Sequence, residues 1–127
     1  MSTIKADNIA TLAGVSTSMA NAVNGSAKAW VNFNGTGTVA IRASYNVSTI
    51  TDNGTGDYTI NFTTGMPDAN YAVNGNYSWK NGVSAGGGLT VRNDTGYTPT
   101  SSICRVICMG QDGNYYDRDY VFVSIFR

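Results

Sequence analysis

Apolar residues recur at every second position through most of this chain. In residues 28–33, Ala29, Val31 and Phe33 alternate with Lys28, Trp30 and Asn32. Residues 38–45 alternate again, with Val39, Ile41, Ala43 and Tyr45 set against Ala40, Arg42 and Ser44. Residues 46–51 form a third run, and in 57–63 Tyr58, Ile60 and Phe62 share one face. A period of two is that of a half-buried β-strand. The segments between these runs, Asn34-Gly35-Thr36-Gly37 and Asp52-Asn53-Gly54-Thr55-Gly56, are hairpin turns by composition. Glycine and asparagine stand there because such turns require positive φ, which a Cβ penalises.

The same reading predicts strands over 70–79, with Tyr71, Val73, Tyr77 and Trp79, and over 89–92, 102–109 and 120–126. Lys80-Asn81-Gly82 is the expected hairpin turn after Trp79, and the triplet Gly86-Gly87-Gly88 marks a bulge or a close strand approach. A phosphate-cradling loop would need a following helix and Lys-Ser/Thr, which the triplet lacks. In the last strand Val121, Val123 and Ile125 face one side, and Phe122 and Phe126 the other. Such a strand is either central between two layers or pressed against another subunit. Trp30 and Trp79 are expected in the core or at a subunit interface.

Residues 1–26 differ by containing no aromatic side chain. Residues 3–9 read as an extended arm anchored by Ile4 with Ile9 at its far end, and 16–23 as a short helix capped by Ser16 and stopped at Asn24-Gly25. So little apolar area cannot offset the entropy of ordering this segment. It therefore either docks on a neighbouring subunit or larger particle, or pairs with its own domain. The predicted fold is all-β, an antiparallel β-sandwich of about eight strands spanning residues 27–127, preceded by an N-terminal arm at 1–26.

Composition sharpens this picture. Charged residues are 13% of the chain, about half the usual share, and there is no Glu and no His. Formal net charge is zero, so no electrostatic case for nucleic acid or an anionic membrane arises. No stretch reaches transmembrane length, and the N-terminus lacks the basic and long apolar regions of a signal peptide, which points to synthesis and assembly in a cytoplasm. Cys104 and Cys108 fall on one face of a predicted strand, about 13 Å apart at ~3.3 Å per residue. That is too far for a disulfide, and metal ligation would want more Cys or a His. Two buried free thiols and no cofactor are expected.

One long stretch carries a resemblance. It comprises Ala27-Lys28-Ala29-Trp30-Val31-Asn32-Phe33-Asn34-Gly35-Thr36-Gly37, Val39-Ala40-Ile41-Arg42, Tyr45-Asn46-Val47-Ser48 and Ile50-Thr51-Asp52-Asn53-Gly54-Thr55-Gly56-Asp57-Tyr58. Asn61-Phe62 and Met66-Pro67-Asp68-Ala69-Asn70-Tyr71 complete it. The stretch resembles a module of tail fibre and related appendage proteins of tailed bacteriophages, frequently those infecting marine cyanobacteria and other marine bacteria. It covers a little over a third of the chain. The resemblance implies a scaffold whose variable surface does the recognising, in a self-associating protein for which fibre architecture suggests a homotrimer.

Catalysis has few candidates. Without His or Glu, acid–base chemistry falls on Asp52 and Asp57, or on Asp112, Asp117 and Asp119, all in predicted turns. Residues 52–57 lack the spacing and terminal Glu of an EF-hand, and hairpin chemistry explains each of them. The expectation is a protein without enzymatic activity or a metal. Sugar-binding groups cluster instead in two later loops: Tyr97 with Asn93, and Tyr115 and Tyr116 with Asp112, Asn114 and Arg118. These tyrosines either contact a host-surface glycan or cover strand ends. Tyr120, Phe122 and Phe126 are the candidate oligomer interface. The expected function is a non-enzymatic structural subunit of a virion appendage, attached to other tail proteins through residues 1–26 and contributing to host-surface attachment. A purely architectural decoration protein and a stand-alone lectin-like module are the alternatives.

Overall fold

The computed structural model describes residues 2–3, 5–79 and 87–127. The expected anchor Ile4, the turn Lys80-Asn81-Gly82 and Gly86 of the glycine triplet lie outside the described residues. Among those described, ten strands and one short helix follow in order: β1 (Asn8–Ala10), β2 (Ser16–Ser18), α1 (Met19–Asn24), β3 (Ala29–Asn34), β4 (Ala40–Tyr45), β5 (Val47–Asp52), β6 (Asp57–Phe62), β7 (Ala72–Tyr77), β8 (Gly88–Val91), β9 (Ile103–Met109) and β10 (Val121–Phe126). Eight of them form an antiparallel β-sandwich of two four-stranded sheets, ordered β4-β3-β10-β7 and β5-β6-β9-β8. The remaining two form a hairpin of their own.

The core lies between the sheets and is built by alternation. Ala29, Val31 and Phe33 from β3 and Val121, Val123 and Ile125 from β10 meet Tyr58, Ile60 and Phe62 from β6 and Cys104, Val106 and Cys108 from β9. The central strand pairs are the most apolar ones, because they alone have neighbours on both edges as well as a partner sheet. Phe33 and Tyr58 meet edge to face across the core at 5.1 Å between ring centroids. Both cysteines are buried and free. Burial pushes the Cys104 thiol up to about 11 and the Cys108 thiol to about 12, so neither is a ready nucleophile.

Two local features depart from the strand-by-strand expectation. The β3–β4 ladder slips between Asn32 and Phe33, so that Asn32 pairs with Ala43 and Phe33 with Ile41. Arg42 is the extra residue of this bulge. As a result Ile41 packs against the core, whereas Ala43 and Tyr45, expected on the same face, are exposed. The second feature is the link from β4 to β5. These strands belong to different sheets, and Asn46 alone joins them, with φ of 54°. Asparagine tolerates this left-handed conformation better than other side chains. Its side chain then fastens the corner. Nδ2 donates to the carbonyls of Lys28 and Thr64, at 3.0 Å each, and Oδ1 accepts from the Thr64 amide at 2.7 Å.

The N-terminal segment folds apart from the sandwich. A turn at residues 11–15, with Gly14 at φ 81°, closes the β1–β2 hairpin. The helix starts at Met19 rather than near residue 16, because Ser16–Ser18 is taken up in β2. Ser18, not Ser16, is its N-cap and accepts from the Asn21 amide at 3.1 Å. The hydrogen bonds described for residues 7–25 close within this segment or onto Ser26 and Lys28, whose Nζ donates to the Val23 carbonyl.

Asn46 offers a direct test of what holds the sheet-crossing corner. Asn46→Ala removes three hydrogen bonds and places an alanine in the left-handed region, at a combined cost of about 2–4 kcal/mol. Asn46→Gly restores the backbone freedom and recovers about 1 kcal/mol of that loss. Urea unfolding midpoints of the two variants check the order.

Candidate functional site on the outer face of the first sheet

Of the loop residues predicted to recognise a ligand, Asn93, Tyr97, Asp112, Asn114 and Tyr115 are exposed, Tyr116 is half-buried and Arg118 is buried. The Tyr97 ring covers the guanidinium groups of Arg92 and Arg105, whose carbons lie 4.3 and 4.0 Å from its centroid. Both arginines hold the buried carboxylate of Asp57, Arg105 Nε at 2.7 Å and Arg92 Nη1 at 2.5 Å. Burial alone would raise the Asp57 pKa. The hydrogen bonds and charges of Arg105 and Arg92 outweigh that and hold it below the usual aspartate value. Tyr97 is thus the lid of an ion cluster on the second sheet, and Asn93 is an exposed neighbour in the same loop.

In the other loop Asp112 accepts from the Asn114 amide at 3.2 Å, from Asn114 Nδ2 at 2.9 Å and from the Tyr116 hydroxyl at 2.6 Å. Tyr116 is half-buried, and Tyr115 remains exposed while its backbone bridges to Met109. Arg118, expected beside them as a ligand contact, is only 1% exposed. Its guanidinium carbon lies 4.5 Å from the Tyr77 ring centroid and 5.2 Å from that of Tyr116. A side chain walled in this way supports the loop and cannot reach a surface ligand.

Further exposed aromatic surface lies on the outer face of the first sheet, at Tyr45, Trp30 and Phe122. Trp30 and Trp79, expected in a core or interface, are 41% and 60% exposed. The strand registers set the outward side chains of this face in two rows. One runs Tyr45, Trp30, Ser124, Asn74, and the next runs Ala43, Asn32, Phe122, Asn76. Between them lies a groove of about 320 Å³ flanked by Trp30 and Phe122, with Asn32, Ser124, Asn74 and Asn76 among its lining and no charged side chain. The Ser124 hydroxyl donates to the Asn74 carbonyl at 3.4 Å, and the Tyr77 amide donates to Asn76 Oδ1 at 2.8 Å. Asn32 Oδ1 is buried with no hydrogen-bond partner in the chain, a state that costs about 1–3 kcal/mol.

Of the candidate interface residues, Phe122 lines this groove and Tyr120 stands against it. Tyr120 and Phe122 stack at 6.2 Å with an interplanar angle of 20°. Arg42 lies over the Tyr120 ring at 4.0 Å and donates to the Asp119 carbonyl. Phe126 is half-buried. The outward alternation of Trp30 with Asn32, and of Phe122 with Ser124, was visible in the sequence. Their adjacency was not, because β3, β10 and β7 are far apart along the chain.

The aspartates weighed for catalysis or metal binding have structural partners. Asp52 Oδ1 accepts from the Gly54 amide at 2.9 Å, closing the turn, and Asp57 belongs to the arginine cluster. Asp117 Oδ1 accepts from the Gly56 amide at 2.7 Å and lies 2.8 Å from the Tyr58 hydroxyl. Asp119 accepts from the Thr36 hydroxyl at 3.3 Å. Among the described residues no group of three or more His, Cys, Asp or Glu is placed to hold a metal ion, and no helix is long and apolar enough to cross a membrane.

The Asp57 cluster makes stability sensitive to acid. Its folded pKa lies below the unfolded one, so its contribution is fully present above the ordinary aspartate value of about 3.9 and is lost as pH falls through the lower folded value. Asp57→Asn is expected to lower stability at neutral pH and to flatten the decline on acidification. Urea midpoints of both proteins across that range check the difference in slope. Comparison of the chain with known protein families, with curated proteins and with solved structures finds no match.

Proposed function

We propose that this protein is a non-enzymatic structural subunit of a bacteriophage virion appendage, in which the N-terminal segment is the assembly element and the sandwich is a presented head that attaches to a surface. The observation that carries the reading is the N-terminal segment itself. It leaves Ile9, Leu12, Val15 and Val23 exposed on a hairpin and a one-turn-and-a-half helix. Apolar side chains gathered on so small a unit mark a docking surface. Among the described residues of that segment none belongs to the buried core of the sandwich. The resemblance of residues 27–71 to a phage appendage module supports the same reading, and fibre architecture gives the expected assembly as a homotrimer within the virion.

This reading moves the self-association surface from Tyr120, Phe122 and Phe126 to residues 1–26. Tyr120 and Phe122 stack on one another and remain exposed, so on this reading they belong to the presented face rather than to the subunit contact. The outer face of the first sheet is then free for contact with a host surface.

Native mass spectrometry of the full chain is expected to give a trimer, and a chain lacking residues 1–26 a monomer. The shortened chain should melt within a few degrees of the full one, a change of about 1 kcal/mol or less. A shortened chain that keeps the same oligomeric state would remove the N-terminal segment from assembly. One that fails to fold would make the segment part of the domain's stability.

A further inference from the structure

We infer that Asn24 is a site of spontaneous deamidation in the folded protein, and that the sandwich shields the other Asn-Gly pairs among the described residues. The chain has five such pairs, of which Asn81-Gly82 lies outside the described residues. Asn-Gly is the dipeptide most open to this reaction, because glycine places no side chain in the path of ring closure. The glycine N–H gives up its proton, and its nitrogen attacks the asparagine Cγ. A C–N bond forms, and the side-chain nitrogen takes up a proton and leaves as ammonia. Water then opens the resulting succinimide at either carbonyl, giving aspartate or isoaspartate. The reaction needs a glycine nitrogen free to turn towards the side chain, and a backbone that can bend to let it.

In the sandwich these conditions are not met. Gly35 is buried and its amide donates to the Arg118 carbonyl at 2.9 Å, while the Asn34 side chain is held by Thr36. The Gly54 amide donates to Asp52 Oδ1 at 2.9 Å, a carboxylate that opposes loss of the proton, and Asn53 Nδ2 is fastened to Thr59. Asn74 and Gly75 pair with Ser124 and Val123 in the β7–β10 ladder, and the extended backbone keeps the nitrogen away from the side chain. Asn24-Gly25 differs. Both residues are exposed, and the Gly25 amide is held only by the last turn of α1, donating to the Asn21 carbonyl at 2.8 Å. That helix is six residues long and buries none of them. So short a helix opens locally, without the sandwich. Conversion then places a negative charge at the C-terminal end of α1, where the helix carbonyls already disfavour it. Isoaspartate also lengthens the backbone just before Lys28, whose Nζ ties the segment to the sandwich through the Val23 carbonyl. Nothing in this chemistry depends on the appendage reading.

The test is incubation of the full chain at mildly alkaline pH and body temperature, beside the same chain in concentrated urea, with peptide mapping by mass spectrometry at intervals. Asn24 is expected to convert within about tenfold of its rate in urea, and Asn34, Asn53 and Asn74 more than about a hundredfold slower than theirs. Ser18→Ala removes the cap of α1. It should speed conversion at Asn24 in the folded chain about fivefold and leave the rate in urea unchanged. An Asn24 that stays intact in the folded chain while converting in urea overturns the inference. So does conversion of Asn34, Asn53 or Asn74 as fast as that of Asn24, or a Ser18→Ala chain in which Asn24 converts no faster. A trimer that shields Asn24 gives the first of these outcomes and leaves the appendage reading standing. Conversion of Asn24 in a chain that is monomeric overturns that reading alone.

Discussion

The hydroxyl of Tyr58 is the contact on which one end of the sandwich depends. Its ring lies in the core against Phe33, and its oxygen is 2.7 Å from the Gly35 carbonyl and 2.8 Å from Asp117 Oδ1. One residue of the second sheet thereby reaches the β3–β4 turn of the first sheet and the loop between β9 and β10. Burial, and then the hydrogen bond to Asp117, push the phenol pKa well above its ordinary value, so the group stays a proton donor. The geometry leaves no room for a side chain at residue 35. A Cβ there would stand 2.5 Å from the Tyr58 oxygen, and Gly35 does not have positive φ. It is glycine because of close approach, not because of turn conformation.

The same end is closed by a second contact of this type. The Gly56 carbonyl accepts from the Cys108 amide at 2.8 Å, and the Cys108 carbonyl accepts from the Tyr116 amide at 2.9 Å. A Cβ on Gly56 would lie 2.6 Å from the Tyr116 nitrogen. The loop at residues 110–119 is therefore bound to the hairpin turn at 53–56 through Asp117, and to β9 beside it through its backbone. Long polar loops rich in tyrosine are reasonable places to look for recognition. Here two of their rings also serve the fold. Tyr97 covers an ion cluster with one face and Tyr116 flanks a buried arginine.

Exposed aromatic rings also stand on a sheet face, at Trp30 and Phe122. A strand presents alternate side chains at fixed spacing on a stiff support, so an aromatic and amide grid there is better organised in advance than one on mobile loops. The two outer faces of the sandwich differ accordingly. The second sheet covers its outer face with the ion pairs of Asp57, Arg92 and Arg105 and with Asn61 bonded to Thr49 and Thr51. The first sheet leaves the rings of Trp30 and Phe122 exposed on its own. On the first sheet Ser124 and Asn76 have partners within the chain, and the buried Asn32 oxygen does not.

What could be read from the sequence was local. Alternation with a period of two placed the strands of the sandwich and the buried faces of β3, β6 and β10, because a strand's two sides are set by neighbouring residues alone. The spacing of Cys104 and Cys108 likewise excluded a bridge between them. Tertiary structure decided what joins what. Nothing in the run from Ala40 to Asp52 announces that the chain changes sheets at Asn46, since one left-handed residue can serve a turn or a corner equally well. The slip at Arg42, which sent Tyr45 outward, arises from matching β4 to β3 and is absent from β4 read alone. The burial of Arg118, which looks like any charged loop residue, depends on Tyr77, a residue about forty positions earlier in the chain. The groove joins side chains from β3, β7 and β10, and register between such distant strands is settled only when the two sheets close on a common core.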